Sequence, residues 1–222
     1  MILCIADVLT SEEVGAVRAL LDKGRFDSGA RTAGWHARDV KNNEQLSSDS
    51  DAARQAAVRI SAALARNDLL RTAMRPAQTR PILFNRYAAG MAYGAHIDDA
   101  IMGDPPIRTD VSLTLFLSDP AEYDGGALVI ENTGGEQSYR LPAGAAIAYP
   151  ATTLHRVEPV TRGERLAAVT WMQSLVRDPS QREMLFELDM ARREIFAAQG
   201  KTRAFDLIAK THANLLRMWA EP

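Results

Sequence analysis

Between Thr79 and Ser174 short runs rich in Val, Ile, Leu, Thr, Phe and Tyr alternate with turn residues, and no helical spacing interrupts them. The runs are Ile82–Tyr87, Tyr93–Asp98, Thr109–Ser118, Ala127–Glu131, Gln137–Leu141, Ala145–Tyr149, His155–Val160 and Arg165–Ser174. The breaks between them carry Gly, Pro and Asp, as in Asp124-Gly125-Gly126, Pro142-Ala143-Gly144 and Thr161-Arg162-Gly163. Successive short strands punctuated this way predict an antiparallel sandwich or jelly roll. The flanks are helical, so the fold class expected is α+β: a double-stranded β-helix (jelly-roll, cupin-like) core with N-terminal helices and a C-terminal helical pair.

Residues 1–78 are expected to pack on that core. Ile2–Val8 reads as a strand, and Thr10-Ser11-Glu12-Glu13 as a capping box that opens a helix ending near Gly24. Residues 26–48 are polar and Gly-containing and predict a long loop. A second helix is expected from about Ser50 to Ala65, and a short one capped by Asn67 and stopped before Pro76. Residues 79–177 form the predicted core. In 178–222 helical spacing returns after Pro179, and Gly200 divides two helices whose apolar faces must be covered by the barrel or by a second subunit.

Composition narrows the function classes. A net charge of −2 over 222 residues gives no reason to expect a nucleic-acid or anionic-membrane partner. The single cysteine, Cys4, excludes an internal disulfide and a cysteine-built metal site, and reads as a small buried hydrophobe. No run approaches the ~20 apolar residues of a membrane span. The start of the chain lacks the pattern of a secretion signal, so a cytoplasmic protein is expected.

The chemistry rests on four histidines, His36, His96, His155 and His212. In a strand, side chains two apart share a face, so His96 and Asp98 can reach one metal while Ile97 and Asp99 point away. His155 supplies a third ligand if the strands fold back on one another. Two imidazoles and a carboxylate make the facial set associated with non-heme Fe(II), with open positions for a chelating co-substrate and dioxygen. Arg165 lies ten residues after His155. If Thr161-Arg162-Gly163 closes a hairpin with Gly163 in the left-handed conformation, Pro159 pairs with Arg165, and the guanidinium can fork onto the far carboxylate of a diacid held at the metal. His212, on the last helix, reads as a surface residue, and Tyr93 as core packing. Met102, Arg108 and Asp110 precede a long strand and could border the pocket.

The stretch Arg86-Tyr87-Ala88-Ala89-Gly90-Met91-Ala92-Tyr93-Gly94-Ala95-His96-Ile97-Asp98 resembles the metal-binding segment of prolyl-4-hydroxylase-type oxygenases. With Arg108–Ser112, Leu115–Pro120, Tyr123–Gly126, Leu154–Val157, Val160–Gly163 and Gln173–Asp178, the whole chain resembles the bacterial PKHD-type hydroxylases, dioxygenases often associated with iron uptake. The resemblance implies His96, Asp98 and His155 as iron ligands and Arg165 as the 2-oxoglutarate anchor. It implies Fe(II), with 2-oxoglutarate and O2 as co-substrates and ascorbate as a reductant, and release of succinate and CO2 as the substrate is hydroxylated.

Two departures stand out. Ala127 follows the Gly-Gly turn where the family commonly has an acid. Phe116 stands where related enzymes place a tyrosine beside the arginine, which leaves Tyr87 as a candidate for hydrogen-bonding the other end of 2-oxoglutarate. The substrate implied is a siderophore-related small molecule or else a protein side chain. The C-terminal helices offer a surface for homodimerisation, and Lys41-Asn42-Asn43 with His36 a lid or a solvated loop. The competing functions for the same three residues are a non-catalytic metal or ligand sensor and a zinc hydrolase.

Overall fold

The six residues Val111–Phe116 are all buried, which a strand achieves only when both faces of its sheet are covered. In the computed structural model, which describes all residues except Ala33, His36 and Pro222, helices cover one face and a second sheet the other.

Along the chain the elements are β1 (Leu3–Ile5), α1 (Ser11–Leu21), β2 (Phe26–Ser28), β3 (Lys41–Asn42), β4 (Glu44–Leu46), α2 (Asp51–Arg66) and α3 (Asp68–Met74). The core continues with β5 (Pro76–Thr79), β6 (Leu83–Ala88), β7 (Ala92–His96), β8 (Ile101–Met102), β9 (Ile107–Arg108), β10 (Val111–Phe116) and β11 (Tyr123–Gly125). It ends with β12 (Leu128–Asn132), β13 (Gly135–Tyr139), β14 (Ala146–Pro150), β15 (His155–Val157) and β16 (Val160–Ser174), followed by α4 (Pro179–Gln199) and α5 (Arg203–Trp219). A major sheet runs β1-β14-β10-β16-β6-β4-β2, with β5 and β11 also paired to β16. A minor sheet runs β13-β12-β15-β7-β3. Every pairing is antiparallel.

Residue parity decides which layer each side chain serves. On β10, Val111, Leu113 and Leu115 join one apolar cluster with Val17, Ile60 and Leu70 of the helices. Their neighbours turn inward: Phe116 packs with Leu128, Ile130 and Val157 of the minor sheet, and Ser112 and Thr114 line a cavity. The ladder carries this alternation sideways, with Ser112 opposite Tyr149 and Trp171, and Arg165 opposite Tyr87.

The helix caps follow the sequence. Thr10 and Glu13 form the capping box, Ser50 and Asn67 each accept from the third residue ahead, and Asp178 accepts from Ser180 and Gln181 N–H. The α4 helix buries Leu185 and Asp189, and α5 leans on it through Phe196 and Phe205, whose rings are 5.1 Å apart. Met184, Met190, Leu207 and Met218 remain exposed on these helices. Among the described residues no helix is long and apolar enough to cross a membrane.

Four expectations are corrected. The polar stretch 26–48 is not a loop: β2 and β4 extend the major sheet, β3 extends the minor one, and two 3-10 turns join them. The first strand is three residues long because Asp7, at φ 51°, turns the chain. Cys4 is exposed. His212 is buried, its Nε2 accepting from Arg75 Nη2 at 3.0 Å, because α5 folds back over the end of α3.

The predicted hairpin is also absent. Thr161-Arg162-Gly163 lies inside β16, which starts at Val160 and pairs here with β11 rather than with β15. Gly163 does adopt a left-handed φ of 73°, but its purpose is close approach: a Cβ there would sit 2.0 Å from the Glu122 carbonyl oxygen. Gly163→Ala should therefore cost at least about 1–3 kcal/mol in urea unfolding, from left-handed strain alone. Gly15, exposed within α1 with nothing near its missing Cβ, is the control: Gly15→Ala should stabilise by about 0.5–1 kcal/mol.

Candidate metal centre

His96 ends β7 and His155 begins β15, and the two are directly paired across the minor sheet. Their ring centroids are 4.2 Å apart. Asp98 lies two residues beyond the end of β7, outside the strand, yet its Oδ2 comes 3.8 Å from His155 Nε2. One donor atom from each of the three residues lies within 4.8 Å of the others. Ile97, expected to pack on the opposite face, is exposed, because the sheet has ended there.

Each ring is oriented from behind. His96 Nδ1 donates to Gly94 O at 2.8 Å, and His155 Nδ1 donates to Thr153 O at 3.1 Å. A carbonyl only accepts, so both Nδ1 atoms carry the proton and both Nε2 lone pairs are left for a metal. Ser112 Oγ donates to Asp98 Oδ2 at 2.5 Å and holds that carboxylate. Burial, then the neighbouring His155, pushes His96 down to about 4. Its ring is therefore neutral at physiological pH, the form that binds metal.

Tyr93 and His96 are three residues apart, which in a regular strand puts them on opposite faces. They nevertheless stack, centroids 3.6 Å and planes 16° apart. A register shift makes this possible: Val157 pairs with Tyr93 while His155 pairs with His96, so β7 carries one extra residue. Tyr93 thus lines the site and also packs against the inter-sheet apolar cluster, as expected of a core residue.

Arg165 reaches the same space from the other sheet. It is 2% exposed, lies 5.3 Å from each of the Tyr87 and Phe116 ring centroids, and its Nε and Nη2 atoms have no hydrogen-bond partner among the described residues. Gly126 makes room for it, since a Cβ there would press on Arg165 Cδ at 3.2 Å. A buried guanidinium without a counter-charge costs several kcal/mol, so this geometry is suited to an anion. Between Arg165 and the three metal-ligand candidates lies a cavity of about 440 Å³ that all four residues line. Tyr87 is placed behind Arg165 rather than on the cavity wall, whereas Tyr149 lies on the wall beside Thr114, its ring edge-on to His155 at 5.2 Å.

Lys41 and Met102 also line the cavity, and His36 lies outside the described residues. Arg108 and Asp110 do not line it: they pair at 2.7 Å, and Asp110 accepts from Ser174 N while Arg108 reaches Glu221, tying the chain end to β16. Sequence reasoning missed Ser112, Tyr149 and Trp171 as wall residues. Their signal was parity with Phe116, readable only once the strand partners are known.

A double-stranded β-helix carrying two imidazoles and a carboxylate at one end of a cavity, with an arginine at the other, describes the 2-oxoglutarate–Fe(II) oxygenases. Residues 82–173 match the family described as the 2OG-Fe(II) oxygenase superfamily, and residues 180–221 match the PKHD-type hydroxylase C-terminal domain. PKHD-type hydroxylases of a Synechococcus strain and of Thermosynechococcus vestitus are 56% and 52% identical over 223 residues, covering 100% of both chains in each case. The chain belongs to the PKHD-type hydroxylase family.

Solved structures share the fold. The Pseudomonas putida prolyl-4-hydroxylase matches with a TM-score of 0.55 at 20% identity, over 78% of this chain and 92% of its own. A Trichoplax adhaerens prolyl hydroxylase, in complex with a hypoxia inducible factor peptide fragment, gives 0.56 at 17% identity, over 82% and 86%. HygX of Streptomyces hygroscopicus, with nickel, 2-oxoglutarate and hygromycin B bound, gives 0.54 at 13%, over 79% and 84%.

Asp98→Ala should abolish tight Fe(II) or Mn(II) binding in anaerobic calorimetry, while Asp99→Ala, which removes an exposed rim carboxylate, should retain it. Ser112→Ala should weaken metal binding about 10–100-fold, the usual effect of removing a partner that orients a ligand.

Proposed function

We propose that His96, Asp98 and His155 hold Fe(II), that Arg165 binds the distal carboxylate of 2-oxoglutarate, and that the enzyme hydroxylates a small molecule in the remaining space. Membership of the family supplies the reaction class. When bound, the iron with 2-oxoglutarate and O2 supplies the power to hydroxylate an unactivated carbon, with succinate and CO2 released.

The observation that carries the residue roles is the unpartnered Arg165 guanidinium facing the metal-ligand candidates across the cavity. Its planar fork suits a carboxylate, and a zinc hydrolase would have no use for it. Phe116 can offer that carboxylate only a ring face, so the second polar contact at this end falls to the hydroxyl-bearing wall residues Thr114 and Tyr149. Burial pushes the Tyr149 phenol well above its ordinary value and keeps it a neutral donor. Leu128 and Val157 complete a water-poor wall near the triad.

The cavity volume is within the ~300–1,000 Å³ of small-molecule sites. Among fold neighbours one holds a peptide fragment and another the small molecule hygromycin B. The size of the cavity and the iron-uptake association implied by the sequence resemblance favour the second kind, a siderophore-related compound among them, with ascorbate as an external reductant for the iron.

The test is oxygen-dependent succinate formation from 2-oxoglutarate by the Fe(II)-loaded protein, together with Arg165→Met. Truncating one partner of a buried charged pair costs about 2–5 kcal/mol, so the 2-oxoglutarate Kd should rise at least about 30-fold with Fe(II) affinity little changed. Replacing an uncompensated buried charge by an apolar chain of similar size is neutral or stabilising. The Tm of the metal-free variant should therefore not fall. A lowered Tm with unchanged 2-oxoglutarate binding would make Arg165 a structural residue.

A further inference from the structure

Lys41 faces the same cavity as the triad and has no task in the reading above. Backbone pairing sets its place: β3 adds to the edge of the minor sheet with Lys41 directly opposite Tyr93. Its ammonium lies 5.1 Å from the Tyr93 ring centroid, and that ring stacks on His96. Lys41 therefore stands one aromatic ring away from a metal-ligand candidate, on the minor sheet, whereas Arg165 enters from the middle of the major one.

The wall behind Lys41 is built to hold it. Lys41 Nζ donates to Thr32 Oγ1 at 3.0 Å, and the Thr32 hydroxyl donates to Gln45 Oε1 at 2.6 Å. Gln45 Nε2 and Asn43 Nδ2 then both donate to Asn85 Oδ1, at 2.8 and 3.1 Å. No carboxylate of the described residues forms an ion pair with Lys41. An ammonium has three donor hydrogens, and among the described residues only Thr32 uses one. Burial pushes Lys41 down to about 8, with Asp98 pulling the other way, so it remains a cation at neutral pH.

Charge balance indicates what the remaining donors would bind. A ferrous ion held by the triad would, with Arg165, be balanced by Asp98 and dianionic 2-oxoglutarate, since an imidazole that ligates a metal does so in its neutral form. The other charged wall residues are Lys41, Arg80 and Asp99. Asp99 is exposed beside Gly34, where water screens it, and Arg80 lies against Gly103. The half-buried Lys41 thus leaves a net positive charge facing the space open to the substrate.

We propose that Lys41 anchors a carboxylate of the substrate, so that the enzyme acts on a carboxylate-bearing small molecule lying between the metal triad and this ammonium. The inference rests on the functional reading above and specifies its substrate class.

Matched acid and amide probes test it: N-acetylglutamate against N-acetylglutamine, and tricarballylate against its triamide. They are titrated calorimetrically into the full-length protein, anaerobically, with Fe(II) and 2-oxoglutarate bound. At least one acid should bind wild type tenfold or more tightly than its amide. Lys41→Met should bring the two within about twofold, and Lys41→Arg should keep most of the preference. Acid and amide binding alike in wild type, no acid binding at millimolar concentration, or a preference surviving in Lys41→Met would each overturn the proposal.

So would a loss of 2-oxoglutarate affinity in Lys41→Met that equals the loss in acid affinity, since Lys41 would then serve the co-substrate. Wild-type protein that binds no 2-oxoglutarate would instead sink the functional reading. The same acid–amide comparison without the co-substrate would then judge Lys41 alone.

Discussion

The pairing of His96 with His155 across β7 and β15 is the contact on which the chemistry depends. A slip of one residue would turn one imidazole to the other face of the sheet. Three residues of β15 are too few to hold that register by themselves. It is held because β12 pairs on the other side, with Ile130 opposite His155 and Leu128 opposite Val157, and both apolar partners are buried in the inter-sheet cluster. The extra residue in β7 then brings Tyr93 round beside His96, so one irregularity serves both the stack and the wall of the cavity.

Arg165 poses the complementary problem. A charge at 2% exposure with two unpartnered nitrogens is costly to fold around, and the two aromatic faces beside it return only about 0.5–2 kcal/mol each. The rest of that cost must be met by the core, where each fully buried Val or Leu side chain contributes about 1.5–3 kcal/mol. The helix layer supplies this: α1, α2 and α3 bury Val17, Leu21, Ile60 and Leu70 against the outer face of the sheet that carries Arg165.

Much of this was legible in the sequence where the signal was local. All eight core runs exist as strands, because alternation bounded by turn residues is a property of each run alone. The helix caps, including Thr10 with Glu13, are equally local. His96, Asp98 and His155 come together as the order of residues suggested, although Asp98 does so from beyond the strand end, so parity was the wrong reason for a correct grouping. What depends on partners was not legible. Residues 41–46 form strands without an apolar stripe because Asn43, Gln45 and Asn85 bond to one another across strands. The supposed hairpin failed because β11, distant in sequence, pairs with the start of β16. His212 and Cys4 exchanged their expected environments because burial depends on partners: α5 folds back so that His212 meets Arg75, while Cys4 sits on β1, the edge strand of the major sheet.

The alternation along the major sheet also separates stability from function residue by residue. On β10 the outward Val111, Leu113 and Leu115 meet helices, while Ser112 holds Asp98, Thr114 lies beside Tyr149 and Phe116 flanks Arg165. On β16 the outward Leu166, Ala168 and Met172 are core, while the inward Arg165, Val169 and Trp171 face the cavity. Because successive side chains share a backbone but not a layer, the inward set can vary in polarity and size without disturbing the helix contacts. A sheet buried on both faces thus acquires one conservative face and one adjustable face. Lys41 adds a cation to the adjustable side from a different strand and sheet, where a change of charge would alter the cavity and the field at His96 and Asp98 without touching the helix layer.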